Sequence, residues 1–126
     1  MQTPGKRKLV FVVDDEPIIA ETLATILKLH SYDTASAHSA EEAIALCRAL
    51  RPDAVISDVV MGKMNGIELA YHLSATIPEC KVLLVSGNVL TDSLLEQSPA
   101  AAVDFPLLAK PVHPQMVLDF LARLSS

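Results

Sequence analysis

Five side chains of this sequence stand where apolar stretches of strand length end, and their types suit the binding and transfer of a phosphoryl group. They are two acids after the first stretch, one after the third, a hydroxyl after the fourth and an amine after the fifth: Asp14, Asp15, Asp58, Ser86 and Lys110. In an open α/β sheet, ligands bind in the crevice outside the carboxyl ends of the strands. Three carboxylates, a hydroxyl and an ammonium group at that edge would form a metal-assisted phosphoryl site.

The three aspartates are candidate metal ligands. If the first and third strands are neighbours, Asp14, Asp15 and Asp58 converge at one edge of the sheet, where their charges repel one another unless a cation lies among them. Mg²⁺ prefers oxygen ligands and keeps several waters, so one or two aspartates and a backbone carbonyl are a sufficient set. Two simpler interpretations stay open at this point, namely that Asp15 caps a helix and that Asp14 is a turn residue.

Lys110 and Ser86 each have an ordinary explanation as well as a functional one. A lysine after a strand is usually a surface charge, but beside a carboxylate cluster it becomes an ion-pair partner, and its point charge suits a phosphoryl oxygen. Ser86 precedes Gly87 and either begins a turn or donates its hydroxyl to that oxygen. Lys110-Pro111 is a candidate cis peptide, because X-Pro bonds carry only a small cis penalty.

The composition is that of one packed domain. The chain has 126 residues, 51% of them hydrophobic, and a mean hydropathy of +0.37. Its net charge of −5 disfavours general binding to nucleic acid or anionic membranes. We expect a cytoplasmic protein, because no apolar run approaches the length of a membrane span and no signal sequence is recognisable. Cys47 and Cys80 match no metal spacing, and a disulfide between them is not expected.

Apolar stretches and helical patterns alternate along the chain. The predicted strands are 9–13, 32–37, 53–57, 81–86 and 104–109. The second is more polar than the others and is expected nearer an edge of the sheet. Pro106 predicts that the fifth is short, bulged or at an edge. Helices are predicted over 17–30, 40–50 and 67–77, over a short stretch within 91–98, and over 114–124. The inner face of the first helix is expected to hold Ile19, Leu23, Ile26 and Leu27.

Five strand–helix alternations predict a parallel sheet with helices on both faces. Right-handed crossovers then make the fold a doubly wound α/β fold. We expect a single domain over residues 8–124 after a flexible lead-in of residues 1–7, with no second domain or internal repeat.

The sequence resembles the response-regulator receiver domain over roughly residues 8–124. The paired acids, the acid after the third strand, the strand-end hydroxyl and the Lys110-Pro111 pair follow in the order of that family's motifs. The loop Met61-Gly62-Lys63-Met64-Asn65-Gly66 is similar to the family's Met-Pro-x-Met-Asp-Gly, with Gly62 where proline is usual. The resemblance implies a flavodoxin-like fold with a five-stranded sheet of order 2-1-3-4-5 and five helices.

The resemblance also implies a role for each site residue. Asp58 would be the phosphoacceptor, and Ser86 and Lys110 would contact the phosphoryl group. Mg²⁺ would be held by Asp14, Asp15, Asp58 and the backbone carbonyl of Val60. One position departs from the family's pattern: Leu107 stands where an aromatic residue is common, and Phe105 lies two residues earlier, beyond Pro106. We therefore expect the usual aromatic switch to be absent or altered.

The implied function is that of a phosphorelay module and not of an enzyme. Its donor would be a sensor histidine kinase or a histidine phosphotransfer protein. Its output would be a conformational shift of the face formed by the fourth helix, the fifth strand and the fifth helix, acting on an effector domain or a docking partner. Direct contact of this domain with nucleic acid or membrane is not expected.

Three alternatives compete with this interpretation. The first is a degenerate receiver that binds proteins independently of phosphate, which Leu107 and Pro106 favour and the complete set of acids, hydroxyl and lysine disfavours. The second is a phosphatase with an aspartyl nucleophile, but such enzymes need a second acid where Val60 stands. The third is a flavodoxin-like cofactor binder, in which Asp14, Asp15 and Glu16 would repel the phosphate.

Overall fold

The computed structural model describes residues 7–87 and 105–125. These residues contain a five-stranded sheet in which each paired strand runs parallel to its neighbour. The strands are β1 (Leu9–Val13), β2 (Asp33–Ala37), β3 (Ala54–Asp58), β4 (Lys81–Ser86) and β5 (Leu107–Ala109). Their order across the sheet is β2-β1-β3-β4-β5, which confirms the predicted order.

The described residues contain four α-helices, numbered here in chain order. They are α1 (Pro17–Leu29), α2 (Ala40–Ala49), α3 (Gly66–Thr76) and α4 (Pro114–Ala122), and a 3-10 turn, Arg123–Ser125, follows α4. The helix predicted within 91–98 lies outside the described residues, so α4 is the helix that the sequence predicts as the fifth. No helix in the described ranges has the length and apolar character needed to span a membrane.

The fifth strand is shorter than predicted. It has three residues, begins after Pro106 and lies at the edge of the sheet. Proline has no N–H to donate, so the ladder cannot extend backward through it with full pairing. The carbonyl of Pro106 still accepts a hydrogen bond from the Leu84 N–H at 2.9 Å, so the chain approaches the sheet just before the strand begins.

The sheet separates two apolar layers. Along β1, Phe11 and Val13 point into one layer and Val10 and Val12 into the other, as the two-residue period of a strand requires. Helices α2 and α3 cover the first layer, and α1 and α4 cover the second. Because both faces are covered, the central strands are almost entirely apolar.

The buried face of α1 agrees with the predicted one in part: Leu27 is buried and Leu23 packs against the core, as predicted. Ala20, Ala24 and Leu27 are its buried residues, whereas Ile19 is 43% exposed. Alanines allow a helix to approach a sheet closely, and the bulkier isoleucine then lies to the side of the contact. Ile18 and Ile19 instead line a groove of about 560 Å³ between α1 and the start of α4.

Three of the described helices begin with side-chain caps that the chain supplies locally. At the start of α4, His113 Nδ1 accepts the Gln115 N–H at 3.1 Å. The sequence Ser39-Ala40-Glu41-Glu42 predicts a capping box, in which the first and last side chains each accept the backbone N–H of the other. Only half of it forms, because Ser39 Oγ accepts the Glu42 N–H at the start of α2 but the Glu42 side chain accepts the N–H of His38. At the start of α3 the box is complete, because Asn65 and Glu68 each accept the backbone N–H of the other.

Candidate functional site

Asp58 is held at the carboxyl end of the central strand. It is the last residue of β3, which lies between β1 and β4. Just beyond it, the Val59 N–H donates to the Val85 carbonyl at 3.0 Å, so the backbone stays attached to the sheet. The side chain of Asp58 is only 11% exposed, so this carboxylate is largely removed from solvent.

Asp14 reaches the same place from β1. Its N–H donates to the Ala37 carbonyl at 3.0 Å, and its Oδ1 accepts the Glu16 N–H at 2.9 Å. The other carboxylate oxygen, Oδ2, lies 3.5 Å from Lys110 Nζ. Asp14 is therefore both a turn residue and a member of the cluster, because its two oxygens serve different partners.

Lys110 joins acids from two strands. Its backbone N–H donates to the Ser86 carbonyl at 2.7 Å, which fixes the residue beside the end of β4. Its Nζ lies 3.2 Å from Asp58 Oδ2 and 3.5 Å from Asp14 Oδ2. With a side chain that is 27% exposed, Lys110 is an ion-pair partner within the site and not a free surface charge. The bond between Lys110 and Pro111 is cis, as predicted.

Asp15 completes a group of three carboxylates. It is exposed, and it does not cap α1: the N-cap residue is Glu16, and no side-chain cap hydrogen bond is formed there. Asp14, Asp15 and Asp58 each offer an oxygen, and the three atoms lie within 4.8 Å of one another. Oxygen donors at this spacing suit a hard divalent cation such as Mg²⁺.

A polar cavity opens beside the acids. It measures about 320 Å³ and is lined by Asp15, Glu16, Asp58, Val60, Gly87 and Lys110. Val60, whose carbonyl is the remaining predicted metal ligand, therefore borders the same space as two of the acids. The cavity has room for a small anion in contact with both the Asp58 carboxylate and the Lys110 ammonium group.

The electrostatics of the cluster follow from burial and from its unequal charges. Burial raises the pKa of the Asp58 carboxyl; the Lys110 ammonium opposes this effect, and the Asp14 and Asp15 carboxylates reinforce it. Burial alone would lower the pKa of Lys110, but the Asp58 and Asp14 carboxylates outweigh it and raise that pKa. The lysine therefore stays charged, and one positive charge faces three acids.

The predicted switch residues lie around β5. Ser86 ends β4 opposite Ala109 and is half-buried. Leu107 pairs with Leu84 and is 44% exposed. The ring of Phe105 meets that of Tyr71 on α3 edge-to-face, with centroids 6.3 Å apart and an interplanar angle of 82°. Phe105 thus packs against α3.

Three further residues support the site without having been predicted to do so. Ser57 is fully buried, and its hydroxyl donates to the Asp58 carbonyl at 3.0 Å. A Cβ on Gly66 would overlap that same carbonyl oxygen. Gly87 borders the cavity beside Lys110. The available sequence signals were a hydroxyl next to Asp58, a glycine at the end of the loop 61–66 and a glycine directly after Ser86, and none of these signals is specific by itself.

The fold and the site together define a class of protein: a doubly wound α/β domain whose acids and lysine meet outside the carboxyl ends of its strands. Residues 10–122 match the sequence model of the response regulator receiver domain. The chain belongs to this family. Receiver domains are the phosphoacceptor modules of two-component signalling, and in response regulators they act with histidine kinases.

Individual relatives agree with this assignment. The chemotaxis protein CheY of Thermotoga maritima is 31% identical over 122 residues, which cover 96% of this chain and 98% of that protein. The DNA-binding response regulator MtrA of Mycolicibacterium smegmatis is 34% identical over 119 residues, 94% of this chain and 51% of MtrA. Among solved structures, the response regulator TrrA of Thermotoga maritima in complex with Mg²⁺-BeF has a TM-score of 0.78 at 27% identity, covering 93% of this chain and 98% of TrrA.

The relatives differ in length. The chain spans nearly all of the chemotaxis protein, but only 43%, 51% and 44% of three other curated relatives that it matches. The similarity to those longer proteins therefore concerns their receiver portion.

Proposed function

We propose that this domain, whose bounds we place at residues 8–124, accepts a phosphoryl group on Asp58 from a phosphohistidine donor. The observation that carries the proposal is the position of Asp58 Oδ2, 3.2 Å from Lys110 Nζ at the end of the central strand and within a group of three carboxylates. Asp58 also borders the polar cavity, in which an incoming phosphoryl group would meet its carboxylate.

The roles of the residues follow from the chemistry of phosphoryl transfer. A carboxylate oxygen of Asp58 forms the new bond to phosphorus while the bond from phosphorus to the donor's imidazole nitrogen breaks. An ionised carboxylate needs no general base, so the site has only to position the reactants and to neutralise charge. Lys110 contributes one positive charge beside the attacking oxygen, where it meets the oxygens of the transferring group.

The donor set fits Mg²⁺ as the metal of this site. Asp14, Asp15 and Asp58 supply closely spaced carboxylate oxygens, and Val60 borders the same cavity with its carbonyl as the fourth candidate ligand. When bound, Mg²⁺ supplies positive charge that neutralises phosphoryl oxygens. The Mg²⁺-BeF complex of TrrA is in line with such a site in a relative of the same fold.

The proposed output is a shift between two conformations. An acyl phosphate at Asp58 adds negative charge at the end of β3, toward which Ser86 and Lys110 would move. This movement would bias the face made of β5, α4 and the helix predicted within 91–98. Leu107, 44% exposed on that face, replaces the common aromatic residue, so any switch there works without a ring at position 107.

Intact-protein mass spectrometry tests the proposal directly. The protein is incubated with Mg²⁺ and acetyl phosphate, alongside Asp58→Asn and, as the matched control, Asp53→Asn. Asp53 lies just before the other end of β3, where its carboxylate accepts the Leu9 N–H at 2.8 Å, a bond that an asparagine oxygen can also accept. We expect one added phosphoryl group on the native protein and on Asp53→Asn, none on Asp58→Asn, and loss of labelling with EDTA.

Two outcomes would contradict the proposal. Labelling retained by Asp58→Asn would move the phosphoacceptor to another residue. A folded native protein that takes up no phosphoryl group and does not respond to beryllofluoride would favour the phosphate-independent binding module.

A further inference from the structure

We propose that Gly87 is a positioning residue, whose missing side chain allows Lys110 to reach the acids of the site. This inference rests on the proposed transfer to Asp58 and adds a residue to which neither the sequence pattern nor the family resemblance assigned a role. The observation behind it is the close approach of Gly87 to the lysine stem on the wall of the polar cavity.

The approach is so close that a side chain at position 87 would force its neighbours to shift. A Cβ built on Gly87 would lie 2.8 Å from Lys110 Cβ, 3.2 Å from its Cδ and 3.4 Å from its Cγ. Non-bonded carbon atoms pack at about 3.5–4.0 Å, so the contacts to Cβ and Cδ are shorter than an unstrained contact, whereas that to Cγ is close to an ordinary one. Lys110 thus lies along Gly87 over most of the length of its aliphatic stem.

The contact cannot be relieved by rotating the end of the lysine. The shortest distance involves Lys110 Cβ, the root of the side chain, whose place is set by the backbone. The two backbones are themselves joined: the Lys110 N–H donates to the Ser86 carbonyl at 2.7 Å, and Ser86 pairs with Ala109 in the ladder. A methyl group on residue 87 must therefore displace Lys110 as a whole or separate the ends of β4 and β5.

Either displacement moves the ammonium group away from its partners. Lys110 Nζ lies 3.2 Å from Asp58 Oδ2 and 3.5 Å from Asp14 Oδ2, and both ion pairs depend on the stem passing over Gly87. Misplacement of a charged group by about 1 Å is enough to slow a reaction by up to about 10²-fold. The effect of Gly87 on phosphoryl transfer therefore passes through Lys110.

Gly62 provides a matched control within the same chain. It lies in the loop after Asp58, but a Cβ there would meet no atom within 4 Å. Gly87→Ala and Gly62→Ala thus make the same chemical change close to the site, one with a steric consequence for Lys110 and one without.

The test is a double-mutant comparison of labelling rates with acetyl phosphate and Mg²⁺. We expect Gly87→Ala to slow labelling of Asp58 by roughly 10-fold or more, and Gly62→Ala to label at the native rate. In a Lys110→Gly background, Gly87→Ala should change the remaining rate by less than about twofold, because both the ammonium group and the Cβ that the new methyl group would meet are gone. Native-like labelling by Gly87→Ala, or the same loss in both backgrounds, would overturn the proposal.

A crystal structure of Gly87→Ala gives a readout that does not depend on phosphoryl transfer. We expect Lys110 Nζ to lie beyond about 4 Å from Asp58 Oδ2, outside ion-pair distance. An unchanged separation would overturn the role of Gly87 even if the native protein were never labelled, whereas an unlabelled native protein with a displaced lysine in the variant would overturn only the proposed function.

If Gly87→Ala fails to fold, a second variant decides. Gly87→Ala combined with Lys110→Gly removes the atom that meets the new methyl group, so this pair should fold as well as Lys110→Gly alone. Failure of the pair to fold would show that position 87 requires glycine for a reason other than Lys110, and would overturn the proposal.

Discussion

At the scale of single residues, the site is defined by an imbalance of charge. Lys110 contacts Asp58 and Asp14, and Asp15 adds a third carboxylate within 4.8 Å of the other two. One ammonium group cannot neutralise three acids, and burial of Asp58 makes the excess charge more costly. A divalent cation relieves that repulsion, which is why the residues themselves, apart from any relative, favour a metal-dependent reaction.

Two glycines of the loop after Asp58 should respond in opposite directions to the same substitution. Gly62→Ala introduces a Cβ into open space, so it should stabilise the protein by about 0.4–1 kcal/mol through the lower entropy of the unfolded chain. Gly66→Ala places a Cβ against the Asp58 carbonyl oxygen and should destabilise it by about 1–3 kcal/mol. Urea denaturation of the two variants measures both effects, and equal changes would contradict the backbone geometry described for this loop.

At the scale of elements, α3 connects the site to the core. Its first residue, Gly66, donates its N–H to the Val59 carbonyl at 2.8 Å, directly after the phosphoacceptor candidate. Farther along, Leu69, Ala70 and Leu73 are buried in the layer beneath the sheet, as their spacing predicts. The start of α3 is therefore held from both sides, by the loop and by the core.

The capping box of α3 should contribute measurably to stability. Asn65→Ala removes the oxygen that accepts the Glu68 N–H at 2.8 Å, so we expect a loss of about 1 kcal/mol in the free energy of unfolding. Asn65→Asp keeps an accepting oxygen and adds a negative charge at the positive end of the helix dipole, so it should be neutral or stabilising. Thermal denaturation compares the two variants, and an Asn65→Ala protein as stable as the native one would show that the cap is dispensable.

The fifth strand shows how one proline reshapes an element. Pro106 delays the start of β5, which leaves three residues to pair with β4. Phe105 then lies before the strand and packs on Tyr71, while Leu107 occupies the exposed strand position. The aromatic side chain of this region therefore lies outside the strand and contacts α3.

At the scale of the whole molecule, stability depends on two apolar layers that exclude water from both faces of the sheet. Cys80 belongs to the layer under α2 and α3, is 7% exposed, and is a free thiol, as is Cys47. Burial raises the pKa of Cys80 from 9.0 to about 12. The thiolate is therefore favoured in the unfolded chain and disfavoured in the folded one.

This difference predicts a loss of stability in alkali. Below the unfolded pKa the thiol is neutral in both states, and as pH rises from 9.0 toward about 12 the unfolded chain loses its proton first. The free energy of unfolding should then fall by up to about 1 kcal/mol per pH unit from this group. Tyrosines and lysines titrate in the same range. The free energy of unfolding is therefore measured by urea denaturation at a series of pH values, and its slope against pH is compared between the native protein and Cys80→Ala.

Cys47→Ala is the control for that measurement. Burial also raises the pKa of the Cys47 thiol, but this residue is only half-buried, so its removal should flatten the pH dependence less. A native pH dependence in Cys80→Ala would show that the buried thiol is not its source.

The sequence by itself determined the features that depend on neighbouring residues. Alternating apolar strands and helices predicted the doubly wound sheet, Pro106 predicted a short or edge strand, and the strand-end positions identified Asp14, Asp58 and Lys110 as candidates. Such features can be recognised locally because strand and helix periods, proline and strand ends act over a few residues. The strand order was implied by the family resemblance, since no local pattern contains it.

Only the tertiary structure decided which side chains touch. Lys110 and Asp58 are 52 positions apart, and their 3.2 Å contact depends on the pairing and register of separate strands. On α1 the predicted Leu27 is buried, but Ala20 and Ala24 are buried beside it where Ile19 was expected, because close approach to the sheet depends on side-chain size as well as hydrophobicity. The steric requirement at Gly87 likewise exists only once β5 places Lys110 beside it, since a glycine's role is defined by what packs against it.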